Sequence, residues 1–181
     1  VRTLETSGTY TLLVEGRYYV GGTASFGFNL QRVADDTAAI ALDTLVTGDI
    51  AHAGQRDFHT FSLGETKRIV VDSQTNDGSF RWALAGPRGT VTSNRSFQGT
   101  DSVDGSSIYE LVAGDYTLVI DANGDATGSY AIQLLDLANA TPITPGVSVS
   151  NTLNPATATQ LYKFDAQAGD RYFFDRTASS G

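Results

Sequence analysis

The chain has no cysteine and no methionine in its 181 residues. That excludes a disulfide framework, a thiol nucleophile and any cysteine-based zinc site. Lysine is nearly missing as well, with Lys67 and Lys163 standing beside ten arginines. Against these 12 cations are 20 carboxylates, and the net charge of −8 argues against a nucleic-acid partner or an anionic membrane surface. No apolar run approaches the roughly 20 residues that span a bilayer, so no membrane insertion is expected. The chain opens on Val1, with neither a start methionine nor a basic-then-apolar leader, and is expected to be a window on something longer.

What is present is strand material. Nineteen glycines, nine phenylalanines and eight tyrosines point to strands and tight turns rather than helices. Tyr116, Leu118 and Ile120 alternate with Thr117 and Val119, and Tyr130, Ile132 and Leu134 alternate with Ala131 and Gln133. Between them Asn123-Gly124 favours the positive φ of a tight turn, so the two runs predict a terminal β-hairpin. Further strands are predicted at about 45–51, 56–63, 67–73, 79–85, 90–97 and 107–112. Turn-formers such as Gly64, Asp77-Gly78, Gly86-Pro87 and Gly105 separate most of them. Eight short strands at this spacing predict an all-β, antiparallel sandwich. Residues 35–41 are granted at most a single helical turn.

An internal repeat organises these strands. Ser7-Gly8-Thr9-Tyr10-Thr11-Leu12 reads against Ala113-Gly114-Asp115-Tyr116-Thr117-Leu118, 106 residues on. Phe26-Gly27-Phe28-Asn29-Leu30 reads against Tyr130-Ala131-Ile132-Gln133-Leu134 at 104, and Arg68-Ile69-Val70-Val71-Asp72 against Arg171-Tyr172-Phe173-Phe174-Asp175 at 103. The tandem unit is about 104 residues long. Residues 36–138 are expected to form one complete sandwich repeat. Residues 1–35 then correspond to the C-terminal part of a preceding repeat, and 139–181 to the N-terminal part of a following one. The stretch 139–159, which holds three of the four prolines, connects one unit to the next.

Gly114-Asp115-Tyr116-Thr117-Leu118-Val119-Ile120, followed by Thr127-Gly128-Ser129-Tyr130-Ala131-Ile132-Gln133-Leu134, resembles the ending of bacterial pre-peptidase C-terminal domains. Phe58-His59-Thr60-Phe61-Ser62-Leu63 and Trp82-Ala83-Leu84-Ala85-Gly86-Pro87 resemble the middle of that family. The resemblance implies a jelly-roll-like β-sandwich of secreted proteases or, in tandem, of large bacterial surface proteins.

Candidate chemistry is sparse. Asp121, Asn123 and Asp125 place oxygen ligands at alternate positions, the start of a calcium loop, with Asp101 and Asp104 as weaker partners. The earlier copy has Glu15-Gly16-Arg17-Tyr18-Tyr19 there, with an arginine in a ligand position, so a plain turn is the first reading and calcium the second. His52 and His59 are the only imidazoles, and His59 aligns with Tyr162, as a packing position with a polar tip would. No Gly-x-Ser-x-Gly accompanies them, and no catalytic residue is assigned. Tyr18, Tyr19 and Tyr109 are candidate surface aromatics for stacking on a sugar or a partner. The expected function is a non-enzymatic structural or adhesive module of a secreted bacterial surface or fibre protein. Its partners are neighbouring copies of itself or adjacent repeats, joined head to tail by strand complementation, and no cofactor beyond calcium is expected. The alternative is a carbohydrate- or matrix-binding accessory module of a larger secreted enzyme, with glycans as ligands.

Overall fold

The alternating runs become strands of two sheets that turn their apolar faces toward one another. The computed structural model describes residues 2–100 and 108–176, and it divides into two units, Val1–Val33 and Ala34–Gly181. The second unit begins with β1 (Asp36–Ala39), β2 (Val46–Ile50), β3 (Arg56–Leu63) and β4 (Lys67–Ser73). It continues with β5 (Phe80–Gly86), β6 (Gly89–Ser96), β7 (Ile108–Leu111), β8 (Gly114–Ala122) and β9 (Gly128–Asp136). One sheet has the order β1-β3-β8-β5-β6 and the other β2-β9-β4-β7. Apart from the added edge strand β1, this is the strand order of a jelly roll. Phe61, Trp82, Leu84, Leu118 and Ile120 from the first sheet meet Ile50, Ile69, Val71, Ile132 and Leu134 from the second in one buried core.

Two expectations are corrected here. β8 and β9 do not form a hairpin: β8 pairs with β3 and β5, whereas β9 pairs with β2 and β4 in the opposite sheet. The Asn123-Gly124 turn is present, with Gly124 at φ 61°, but it passes the chain between sheets. Residues 36–39 form a strand rather than a helical turn, and it runs parallel to β3, so the first sheet is mixed. The bare edge of β3 supplies the hydrogen-bond partners, and the Ile40 amide continues the ladder to the Thr60 carbonyl at 2.9 Å.

The same backbone pattern recurs 103 residues later. β10 (Thr141–Pro142) lies parallel to β11 (Tyr162–Lys163), with Thr141 opposite Tyr162 just as Ala38 lies opposite His59. Ile143 N–H donates to the Lys163 carbonyl at 2.8 Å, the counterpart of Ile40 and Thr60. Ala158 N–H donates to Pro155 O, the counterpart of Gln55 and His52. Asp43 and its counterpart Gly146 both take positive φ, 60° and 86°.

Residues 2–33 contain no strand, although alternating runs predict two. One local contact there matches the sandwich: Tyr10 Oη donates to Thr6 O four residues back, as Tyr116 Oη does to Val112 O. Extended runs without a pairing partner leave their backbone groups to water, and no ladder forms.

Candidate functional site

Three inward positions of β3 and β9 carry polar groups where the alternation calls for apolar ones. Asp57 and His59 share the inward face of β3 with Phe61 and Leu63, and Tyr130 faces them from β9. Tyr130 Oη donates to Asp57 Oδ2 at 2.6 Å and lies 2.7 Å from His59 Nε2, which then carries the proton. Gln55 Nε2 donates to the second Asp57 oxygen at 2.9 Å. All four residues are buried. Burial lowers the His59 pKa below its ordinary 6.5, opposed in part by the Asp57 charge. Burial, followed by the hydrogen bond to Asp57, raises that of Tyr130. His59 Nδ1 is also buried and has no hydrogen-bond partner among the described residues. Gly48 on β2 makes room for the ring, since a Cβ there would sit 2.2 Å from Tyr130 Oη. A Tyr-His-Asp trio closed off in this way ties the two sheets together across the core.

The predicted site residues are dispersed. Asp121 lies on β8, where Oδ1 accepts from Ala122 N–H at 2.8 Å. The Asn123 backbone N–H donates to the Ser79 carbonyl and its backbone carbonyl accepts from Ala126 N–H, main-chain bonds that hold the turn. Asp125 is exposed on the same connection, while Asp101 and Asp104 lie outside the described residues. Among the described residues no group of three or more His, Asp or Glu side chains is placed to hold a metal ion. Tyr109 is not a surface aromatic: on β7 it is half-buried, edge-on to Trp82 with ring centroids 5.9 Å apart. Tyr18 and Tyr19 do project from a turn closed by Val20 N–H to Arg17 O, and Arg17 donates to Tyr19 Oη at 2.8 Å. Tyr18 is 97% exposed.

The largest feature is one that composition does not reveal. Among the described residues, 18 of 21 exposed large apolar side chains lie in residues 2–33 or 139–176. Many of their counterparts at the 103–106 offsets are buried residues of the core. Leu12 and Leu30 are 63% and 88% exposed, whereas Leu118 and Leu134 are 0% and 1%. Tyr172 and Phe174 are exposed where Ile69 and Val71 are buried. A groove in the C-terminal segment is lined by Ile143, Val149, Asn151, Leu153, Gln160 and Tyr162. These are the counterparts of Ile40, Val46, Gly48, Ile50, Asp57 and His59, which form the core end beneath Tyr130.

The central fold is thus a β-sandwich with jelly-roll strand order and an enclosed polar lock. It is similar to the pre-peptidase C-terminal domain of a collagenase from Bacillus anthracis, at 15% identity over 59% of this chain and 99% of that one, with a TM-score of 0.40. PliG of Salmonella Typhimurium, a periplasmic inhibitor of g-type lysozyme, is also similar, at 20% identity over 55% of this chain and 98% of that one, TM-score 0.40. PliG of Aeromonas hydrophila is similar at 8% identity over 57% and 99% of the two chains, again with a TM-score of 0.40. No family model and no curated protein matches the sequence.

Proposed function

We propose that the chain is a non-enzymatic structural module from a tandem array of β-sandwich repeats, belonging to a secreted bacterial surface or fibre protein. The observation that carries this reading is the recurrence of the β1–β3 register, with its flanking hydrogen bonds, 103 residues further on. A sequence that rebuilds the opening of its own fold after one repeat length is organised to extend by addition of units. The surplus of carboxylates keeps such an array soluble, and the absence of thiols spares it oxidative cross-linking. The surface location rests on the motif resemblance to pre-peptidase C-terminal domains. Adhesion and head-to-tail joining are the finer parts of the same reading.

One observation favours a second reading. Tyr18 and Tyr19, in edge-to-face contact at 5.2 Å, present exposed rings of the type that stacks on sugars. Single-molecule pulling together with glycan binding separates the two. A structural module is expected to give a resisted unfolding step of roughly 350 Å, about 3.5 Å for each residue of the central repeat, and no glycan binding. Glycan binding lost on Tyr18→Ala, with no resisted step, would instead support the accessory-module reading.

A further inference from the structure

Strand order shows what the exposed segments lack. In the central sandwich the ladders β3·β8, β2·β9, β4·β9 and β4·β7 each join a strand from β1–β4 to one from β7–β9. The second sheet alternates the two groups across its whole width, as β2-β9-β4-β7. By the repeat, residues 139–176 correspond to β1–β4 and residues 2–33 to β7–β9. The only ladder internal to the first group is β1·β3, and the second group has none. Outside the central sandwich, the one ladder among the described residues is β10·β11, the counterpart of β1·β3, and residues 2–33 form none. What folds and what does not is the pattern of a sandwich divided into two interleaving halves.

Side-chain pairs show the same division. Lys67 Nζ bonds Asp136 Oδ2 at 2.7 Å between β4 and β9, and the counterparts are Asp170 and Arg32, with the charges exchanged. Ser62 Oγ donates to Asp115 Oδ1 at 2.6 Å between β3 and β8, and the counterparts are Asp165 and Thr9, with donor and acceptor exchanged. Tyr130 donates to Asp57, and the counterparts Phe26 and Gln160 lack both the hydroxyl and the charge. In each pair one change lies in residues 2–33 and its compensation in residues 139–176. The groove described above has the matching occupant, since the counterpart of the Tyr130 ring is Phe26.

We propose that residues 2–33 of one chain and 139–176 of a second copy of this chain are complementary halves of one sandwich, interleaved with Tyr10 opposite Phe164, Leu30 opposite Phe174 and Arg32 beside Asp170. This rests on the repeat reading above and names its partner. Burying apolar side chains is favourable, while ordering each residue costs conformational entropy. Neither half covers its own face, so folding awaits the other half. The contact is heterologous, and its repetition builds an open chain of molecules.

The full chain, free of native cysteine, provides the test. Thr11 and Lys163 are the counterparts of Thr117 and Thr60, which face each other across β8 and β3. Chains carrying Thr11→Cys and Lys163→Cys, mixed under mild oxidation, are expected to yield a disulfide-linked pair. Ser7→Cys in place of Thr11→Cys is four residues, about 13 Å, out of register and is expected to abolish that product. A single chain carrying both Thr11→Cys and Lys163→Cys is expected to form a ladder of multimers. A monomer closed by an internal disulfide would overturn the assignment to a second copy, and a mixture without cross-linking would overturn the pairing. Leu30→Asp is expected to abolish the product while Trp82 fluorescence still reports a folded central sandwich; undiminished cross-linking by this variant would count against the interleaving. Failed cross-linking with the resisted unfolding step retained sinks this inference alone, whereas loss of that step sinks the structural reading beneath it.

Discussion

At the scale of single residues, stability turns on the polar lock inside the core. Removing the Tyr130 hydroxyl strips Asp57 of a charge-assisted partner and leaves His59 Nε2 without its acceptor. Tyr130→Phe is therefore expected to destabilise the sandwich by about 1–3 kcal/mol, read from the denaturation midpoint by the fluorescence of buried Trp82. Adding Asp57→Gln recreates the Phe26 and Gln160 combination, and the double variant is expected to lose less than the sum of the singles. A strictly additive result would remove the argument that these positions change together. The same lock sets a pH dependence. Burial depresses the His59 pKa, so the unfolded chain binds this proton more readily than the folded one. The stabilisation is complete above the ordinary value of 6.5 and declines as pH falls below it. His59→Gln is expected to flatten the slope between pH 7.5 and 5.5, and an unchanged slope would assign it elsewhere. A different window belongs to Asp136. Desolvation raises its pKa, but the hydrogen bonds from Lys67 and Ala138 outweigh that and lower it, so its contribution is lost only below the ordinary carboxylate value of 3.8. The lock was legible in outline, since Asp57 and His59 fall in phase with Phe61 and Leu63 on an alternating strand. The partner Tyr130 lies 73 residues from Asp57, and no local pattern announces it.

Elements fared according to how local their causes are. β3 and β4 match the predicted spans to the residue, and β2, β5 and β6 fall within one or two residues, because alternation and glycine turns are local signals. β1 was missed because Asp-Thr-Ala-Ala has no strand propensity of its own and is held by the free edge of β3. The hairpin was misread because Asn-Gly specifies a turn but not which sheet receives the next strand. That turn also bears on calcium. Asp121 Oδ1 already accepts from the Ala122 amide, and no three His, Asp or Glu side chains gather among the described residues, so millimolar calcium or a chelator is expected to leave the melting temperature unchanged. A calcium-dependent rise abolished by Asp125→Ala would restore the loop as a metal site. At the neighbouring β2, Gly48→Ala would drive a Cβ into the Tyr130 ring, and a loss of about 1–3 kcal/mol is expected.

For the whole molecule, the proposed repeat turns on which strands pair with which. The sequence reads as two partial units flanking a complete one, and on that reading the proposed interleaving depends on jelly-roll strand order, which no local pattern announces. The distinction is topological: strands adjacent in the chain are rarely adjacent in these sheets, so a cut between β4 and β7 separates nearly every pairing partner. The exchanged charges provide the most direct measurement. In sedimentation equilibrium the parent chain is expected to self-associate, and Arg32→Asp or Asp170→Arg alone to weaken this about 100-fold, since breaking a partly buried pair costs roughly 3 kcal/mol. An equimolar mixture of the two variants restores opposite charges at every joint and is expected to recover the parent affinity. Recovery in the mixture would establish that residues 2–33 and 139–176 of different chains meet in the register of the repeat; a mixture as weakly associated as either variant would contradict it.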